Sequence, residues 1–228
     1  MIELVLAALF LLVSHYGISS TPLRAALVRR LGETPYLALY SLIALAAIFW
    51  LARTYADAPL IQLWPTTLVG ALVPLIVLPF ALILLVAGVS GRNPTSVGQG
   101  GALDDPAALK GALRITRHPV MWAIALWGLS HIAANGDLAS LVFFGAIVAL
   151  ALVGTLLLDV KYADRQGAAW QPFAQATSNL PFGAVLAGHQ RFAPHEIGWT
   201  RIAVALALYA LLLALHPWLF RASALGPL

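Results

Sequence analysis

Two histidines, His118 and His131, stand thirteen residues apart in a stretch that is otherwise apolar enough to cross a membrane. A third, His15, lies in the first apolar run of the chain, between Ser14 and Tyr16. Ionisable side chains are costly inside lipid, so a histidine at such a position is first of all a hypothesis of function. Neutral imidazole is also a preferred ligand of iron, zinc and copper. These three histidines are therefore the first candidates for binding a cofactor.

Depth in the membrane favours one pair of these histidines. If Arg24 and Arg117 mark the same membrane face, a rise of ~1.5 Å per residue puts His15 ~13–14 Å inward and His131 ~21 Å inward. By the same rise, His118 lies only ~1–2 Å from that face. Two imidazoles from facing helices are typical ligands of a b-type haem, whereas zinc needs a third or fourth ligand. We therefore predict that His15 and His131 are the metal ligands, holding haem b iron inside the membrane.

The segment Arg117–His118–Pro119 allows two interpretations. Proline in the first turn, next to an arginine at the membrane face, is typical of a plain helix start. The free N–H groups of a helix N-terminus also attract anions, so the same residues are typical of an anionic-cofactor site. Both interpretations stay open, and Arg117 and His118 join His15 and His131 as candidate cofactor-binding residues.

The other ionisable residues are predicted to be solvated or interfacial. Charged residues at helical spacing near the end of the fifth apolar run are expected to form a solvated helix face: Asp159, Lys161, Asp164 and Arg165. The remaining histidines are expected in polar or interfacial positions: His189, His195 and His216.

The composition is that of an integral membrane protein. Of 228 residues, 61% are hydrophobic and 10% are charged, whereas a soluble domain carries roughly a quarter charged residues. There is no cysteine, which excludes disulfides, thiolate metal sites and covalent c-type haem attachment. The net charge of +4 indicates loop orientation and contact with anionic lipid, and gives no sign of nucleic acid as a partner. The expected partners are membrane lipids and a lipophilic small molecule.

Six apolar runs of roughly the ~20 residues that span a bilayer predict an all-α polytopic helix bundle, formed as a single domain over residues 1–228. Their approximate bounds are Ile2–Ser20, Pro35–Ala52, Leu68–Val89, His118–Ala134, Leu138–Asp159 and Gly198–Phe220. The sequence Asn135–Gly136–Asp137 predicts a tight turn that pairs the fourth run with the fifth.

Placement of Lys and Arg predicts the orientation of this bundle. Three connections hold 11 of the 13 Lys and Arg residues, leaving Arg53 and Arg221 for the opposite side. The positive-inside rule puts those connections in the cytoplasm and both termini outside. A short helix is predicted from Asp105–Pro106 to Arg114. Residues 160–197 are predicted to form a cytoplasmic interfacial segment, whose aromatic residues include Trp170, Phe173, Phe182 and Phe192.

Several of these motifs together resemble the NnrU family. They are Ser14–His15–Tyr16–Gly17–Ile18–Ser19–Ser20 followed by Leu23–Arg24, then Gly91–Arg92–Asn93–Pro94, and Arg117–His118–Pro119 with His131 downstream. The resemblance covers about residues 1–185. This family is associated with bacterial denitrification and includes the plant plastid 15-cis-zeta-carotene isomerase. The resemblance implies a haem b membrane enzyme with axial ligands at His15 and His131, His118 as a further family histidine, and cis–trans isomerisation of a polyene.

A more distant similarity points to a different chemistry. Arg117–His118–Pro119, a hairpin and then Leu180–Pro181–Phe182 are similar to the isoprenylcysteine carboxyl methyltransferases, in which such segments help bind S-adenosylmethionine. The chain departs from that pattern at Met121 and Ala123, where those enzymes have tyrosine and glycine. The sequence is therefore compatible with three functions: a haem-dependent isomerase, a non-enzymatic haem electron carrier or sensor serving denitrification, and a membrane methyltransferase.

Overall fold

The computed structural model describes residues 1–95 and 109–224, and these residues are mainly helical. The helices are α1 (Ile2–Ser19), α2 (Pro22–Leu31), α3 (Glu33–Ala56), α4 (Leu68–Ser90), α5 (Ala112–Ile115), α6 (Pro119–Asn135), α7 (Leu138–Gln166), α8 (Trp170–Ala176), α9 (Gly183–Leu186) and α10 (Trp199–Phe220). The prediction of an all-α bundle is confirmed. Asp105–Pro106, the predicted start of a short helix, lies outside the described residues, and α5 covers the end of that region.

Each of the six predicted apolar runs contains a long helix. Four helices, α1, α3, α4 and α10, and the segment Leu138–Ala176 that contains α7 are long and apolar enough to cross a membrane. The remaining run forms α6, which has 17 residues and is therefore ~25 Å long. The chain is a multi-pass membrane protein.

A central hairpin of α6 and α7 organises the bundle. α6 packs against α4 on one side and α7 on the other, and α10 packs against the outer side of α4. α1 packs against α3 and α7, and α3 also contacts α7. The two helices that carry His15 and His131, α1 and α6, therefore share α7 as a neighbour.

Small residues let α6 approach its neighbours closely. A β-carbon on Gly128 of α6 would lie 2.6 Å from Cγ2 of Val148 in α7. A β-carbon on Gly70 of α4 would lie 2.9 Å from the carbonyl oxygen of Ala133 in α6. Close backbone contact of this kind is the usual basis of helix packing in membranes, where burial of apolar surface supplies little driving force.

The turn between α6 and α7 forms where it was predicted. Gly136 has a positive φ of 69° and ends α6, and the carboxylate of Asp137 accepts a hydrogen bond from the backbone N–H of Ser140 at 2.8 Å. The preceding connection fastens this turn, because the backbone N–H groups of Leu63 and Trp64 donate to the carbonyl oxygen of Gly136.

At the other end of the bundle, α1, α4 and α7 end and α6 and α10 begin, close to most of the Lys and Arg residues. We call this the basic end. Here Trp170 and Phe173 of α8 are buried against Leu113 of α5, so these two are core residues and not the interfacial anchors that were expected. Phe182 and Phe192 are exposed and contact each other, which fits the predicted interfacial position.

Candidate cofactor site

His15 lies near the C-terminal end of α1 and is half-buried. Its Nδ1 lies 2.8 Å from the carbonyl oxygen of Leu11, one turn earlier in the same helix. Its ring meets Tyr40 of α3 edge to face, with centroids 5.7 Å apart. Because a carbonyl oxygen only accepts, Nδ1 must carry a proton, and in the neutral ring Nε2 keeps its lone pair. That is the tautomer in which Nε2 can bind a metal.

His131 lies near the end of α6 and repeats this arrangement. Its Nδ1 donates to the carbonyl oxygen of Trp127, four residues earlier, at 2.7 Å. The ring stacks on Phe144 of α7 with centroids 4.9 Å apart, and Trp127 lies beside it at 5.3 Å. The ring of His131 thus faces α7 and is held among aromatic side chains.

The hydrogen bonds of these two histidines test whether the pair suits a haem. In both rings the N–H at Nδ1 is bound by a carbonyl of the same helix, and Nε2 takes no hydrogen bond from another described residue. A carbonyl on the outer nitrogen is the usual support of a metal-binding histidine, because it fixes the tautomer and the ring orientation. The donor chemistry of His15 and His131 therefore fits a haem, which these two side chains would hold through Nε2.

The structure also gives the relative positions of the two rings along α7. His131 stacks on Phe144, while the hydroxyl of Tyr16, next to His15, donates to the carbonyl oxygen of Ala149 at 2.7 Å. Five residues of helix separate these contacts, or ~7–8 Å. No hydrogen bond or ring contact of the described residues joins His15 to His131, so their sharing of one metal stays a prediction.

His118 is held at the basic end, away from both other histidines. It caps the N-terminus of α6, its side chain is 0% exposed, and its Nε2 lies 2.8 Å from Oδ1 of Asp159 in α7. Thirteen residues of α6 separate it from His131, or ~20 Å along the helix. His118 and His131 therefore cannot bind the same metal ion.

Arg117 joins His118 on the same carboxylate. One guanidinium nitrogen of Arg117 lies 3.6 Å from Oδ2 of Asp159, and another donates to the carbonyl oxygen of Thr177 at 3.2 Å. The amide of Asn179 donates to Oδ2 of Asp159 at 3.3 Å. The solvated face predicted for Asp159 is therefore wrong, because its carboxylate is turned toward two basic residues of another segment and not toward its helical neighbours.

Two nitrogen atoms of this cluster lack a hydrogen-bond partner. Nδ1 of His118 and Nε of Arg117 are buried, and neither makes a hydrogen bond with the described residues. Burial lowers the pKa of Arg117, and the Asp159 carboxylate partly opposes that change. Both interpretations of the segment retain support, because Pro119 does begin α6 and buried polar atoms without a hydrogen-bond partner are uncommon in folded proteins, where a bound water or ion is one explanation for them.

Sequence reasoning missed the partners of these residues. Asp159 ends an apolar run at the basic end, where Arg117 and His118 also lie. This shared depth in the membrane is the signal that could have paired the three residues. Tyr40 and Phe144, which contact the two candidate ligands, lie in long apolar runs and gave no such signal. Over residues 1–95 and 109–224, no group of three or more His, Cys, Asp or Glu side chains is placed to hold a metal ion.

Known proteins are similar to this chain over different lengths. Two plant proteins named 15-cis-zeta-carotene isomerase, chloroplastic, are similar to parts of it. The Zea mays protein is 31% identical over 81 residues, covering 36% of this chain and 22% of that protein. The Arabidopsis thaliana protein is 32% identical over 80 residues, covering 35% and 22%. The matched part is thus about a fifth of the length of these relatives, and no solved structure is significantly similar. The family described as NnrU protein matches residues 3–224, and the chain therefore belongs to the NnrU family.

Proposed function

We propose that this protein is a membrane haem b protein that isomerises a double bond of a lipophilic polyene. The observation that carries the proposal is the matched hydrogen bonding of His15 and His131, whose Nδ1 protons are bound and whose Nε2 atoms are left for a ligand. Similarity to two proteins named as carotenoid isomerases supports the choice of reaction.

The residues of the chain would hold the cofactor and exclude water. His15 and His131 would bind it, with the carbonyl oxygens of Leu11 and Trp127 fixing the orientation of each ring. Phe144 would pack beside the ligand at His131 and keep that site apolar. When bound, the haem would supply an iron that transiently weakens the double bond, so that rotation needs no net oxidation or reduction.

The substrate would enter from the lipid. Helices on the outside of the bundle expose large apolar side chains, including Phe49 of α3, Phe80 of α4 and Leu211 of α10. Such surfaces face the acyl chains in a membrane protein, so a polyene dissolved in the bilayer reaches the protein without crossing water. We further propose that the membrane is the inner membrane of a bacterium, with the basic end in the cytoplasm, because that end carries most of the Lys and Arg residues.

The visible spectrum of the purified protein tests the ligands. Protein purified in detergent and loaded with haem is expected to give a low-spin Soret band, recorded oxidised and reduced. His15→Ala and His131→Ala are each expected to abolish or strongly shift that band. His189→Ala is the matched control, because His189 is exposed on the segment after α9 and its loss should leave the spectrum unchanged.

A second measurement tests the reaction. Reduced, haem-loaded protein is incubated with a 15-cis polyene, and the isomers are separated by chromatography. Conversion that disappears in both ligand variants supports the proposal. A haem band without conversion would favour the electron carrier or sensor, and a band that survives both substitutions would refute the ligand assignment. Binding of S-adenosylmethionine that is lost in Arg117→Ala would favour the methyltransferase.

A further inference from the structure

A small cavity of about 50 Å³ lies at the basic end, between the end of α4, the start of α5 and the turn that precedes α10. Its described lining includes three cationic side chains, Arg92, Lys110 and Arg201, and Glu196 as its acidic one. The cavity lies outside the contacts of His15 and His131, and neither of them lines it.

The negative charge of Glu196 is already balanced by Arg114, which does not line the cavity. Nε and a terminal nitrogen of Arg114 donate to its two carboxylate oxygens at 2.6 Å and 3.0 Å, and the backbone N–H of Gly111 donates to it at 3.1 Å. These bonds hold the pKa of Glu196 at about 2, with the hydrogen bond from Arg114 as the main cause. Glu196 therefore stays ionised and paired with Arg114, and does not neutralise the cations of the cavity.

Two of the cationic side chains of the cavity, Arg201 and Lys110, differ in how they are held. Arg201 is fixed, because it donates to the side chain and backbone of Ser90 at 2.9 Å and 3.3 Å and to the carbonyl oxygen of Ile197 at 3.1 Å. Those three acceptors are neutral, so the positive charge of Arg201 is not cancelled by them. The side chain of Lys110 is exposed at the rim, and its ammonium makes no hydrogen bond or ion pair with the residues that the structure describes.

The size and level of the cavity narrow the choice of ligand. A site for one water needs about 10–15 Å³, so a cavity of about 50 Å³ has room for about three to five small atoms, and a phosphate group has five. Arg201 lies in the first turn of α10, beside Trp199, which is 77% exposed. Exposed tryptophan at a helix end is typical of the membrane–water interface, where lipid headgroups lie.

We propose that this cavity binds a phosphate group, with Arg201 as its fixed cation and Lys110 as its exposed one. The phosphate is that of an anionic phospholipid headgroup or of a soluble phosphate compound. Both sources present the same chemistry, a compact oxyanion that is stabilised by charge-assisted hydrogen bonds from Arg and Lys. This site is independent of the proposed isomerase function.

Lipid binding by the purified protein tests this proposal. The protein in detergent is titrated with phosphatidylglycerol, with phosphatidylcholine and with inorganic phosphate, and its thermal midpoint and retained lipid are measured, the latter by native mass spectrometry. Lys110→Gln is expected to weaken the apparent affinity about fivefold, since one such charge contributes ~1 kcal/mol near a membrane surface. Lys110→Glu should weaken it further.

Arg30→Gln is the matched control, because it removes one exposed cation of α2, a helix that does not line the cavity. Protection by phosphatidylglycerol but not by inorganic phosphate would identify the headgroup as the source, and competition by inorganic phosphate would identify a soluble ligand. Equal loss of affinity in Lys110→Gln and Arg30→Gln would overturn the proposal, because it would mean general surface attraction. The proposal would also be overturned if the protein bound phosphatidylglycerol no better than phosphatidylcholine and inorganic phosphate had no effect.

Discussion

Asp159 connects three segments of the protein through a single carboxylate. Oδ1 accepts from His118 at 2.8 Å, and Oδ2 faces the guanidinium of Arg117 and the amide of Asn179. His118 is fully buried and Asp159 is 24% exposed, so removing the acid would leave His118 Nε2 without its partner in a place that water reaches poorly. Loss of one partner of a buried polar pair costs more than the pair contributes while it is intact.

We therefore expect Asp159→Ala to destabilise the protein by about 2–3 kcal/mol, the cost of leaving buried polar or charged groups unpaired. The measurement is the thermal midpoint in detergent, followed by tryptophan fluorescence. Asp159→Asn, which keeps a hydrogen-bond acceptor, should lose less.

Asp164→Ala is the control for this change. Asp164 lies five residues later on α7 and is exposed, so its removal should shift the midpoint little. Similar midpoints for Asp159→Ala and Asp164→Ala would show that the carboxylate of Asp159 does not support the buried histidine.

At the scale of elements, one ion pair joins the short helix α5 to the 3-10 turn Pro194–Ile197 that precedes α10. Arg114 of α5 holds both carboxylate oxygens of Glu196, and a further nitrogen of Arg114 bonds to Gln190. Both partners of the pair are largely shielded from solvent, unlike Glu33 in the Arg24–Glu33 pair, which is 67% exposed. A bidentate, shielded arginine pair contributes more than an exposed one.

The low pKa of Glu196 gives this connection a defined dependence on pH. The carboxyl has a pKa of about 2 in the folded protein against an ordinary value of 4.5. An acid whose pKa is lowered by folding stabilises the folded state fully at pH values above its ordinary pKa. That stabilisation is lost as the pH falls toward the pKa of the folded protein. We expect the thermal midpoints of the unchanged protein and Glu196→Gln to differ at pH 6 and to converge as the pH falls from about 4.5 toward 2.

The exposed Arg24–Glu33 pair supplies the control for that experiment. Glu33→Gln should leave the midpoint nearly unchanged at every pH, since exposed ion pairs contribute at most about 1 kcal/mol. A constant difference between the unchanged protein and Glu196→Gln down to pH 2 would contradict the proposed titration.

At the scale of the whole molecule, six long helices run between a basic end and an opposite end. The tight turn at Gly136 and the residues around Asp57 lie at the opposite end, and α2 lies at the basic end. With α6 counted as a sixth crossing beside the five longer candidate spans, both termini lie on one side of the membrane, and the distribution of Lys and Arg predicts that this side is the outside.

The absence of cysteine from the sequence makes this orientation testable by single substitutions. Asp57→Cys is expected to react with a membrane-impermeant maleimide in intact bacterial cells. Arg29→Cys is expected to react only after the cells are opened, because the exposed Arg29 belongs to the basic end. The reverse pattern of labelling would mean that the protein is oriented with its basic end outside.

The sequence predicted those parts of the fold that depend on local or one-dimensional patterns. Six apolar runs became long helices, Pro119 starts α6, and Gly136 with Asp137 makes the predicted turn. Prediction from the sequence failed where a residue contacts a residue from another part of the chain. Trp170 was expected at an interface and is buried against Leu113, because aromatic content does not tell a core position from an interfacial one.

The candidate site likewise has features that the sequence could predict and features that it could not. Membrane depth is a one-dimensional property, and it is enough to favour His15 and His131 as a pair. The contacts of Asp159 with Arg117 and His118 depend on how α7 sits against the start of α6, which no local spacing encodes. The direction of each imidazole was likewise not predictable from sequence, since it depends on the rotamer that the carbonyl one turn earlier selects.

Those two carbonyls bear on how the protein is made. Because the rings at positions 15 and 131 are each steered by their own helix, neither needs the opposing span, or an iron, to be correctly turned. If the protein binds haem b as proposed, the bundle can therefore be inserted into the membrane before the haem is loaded.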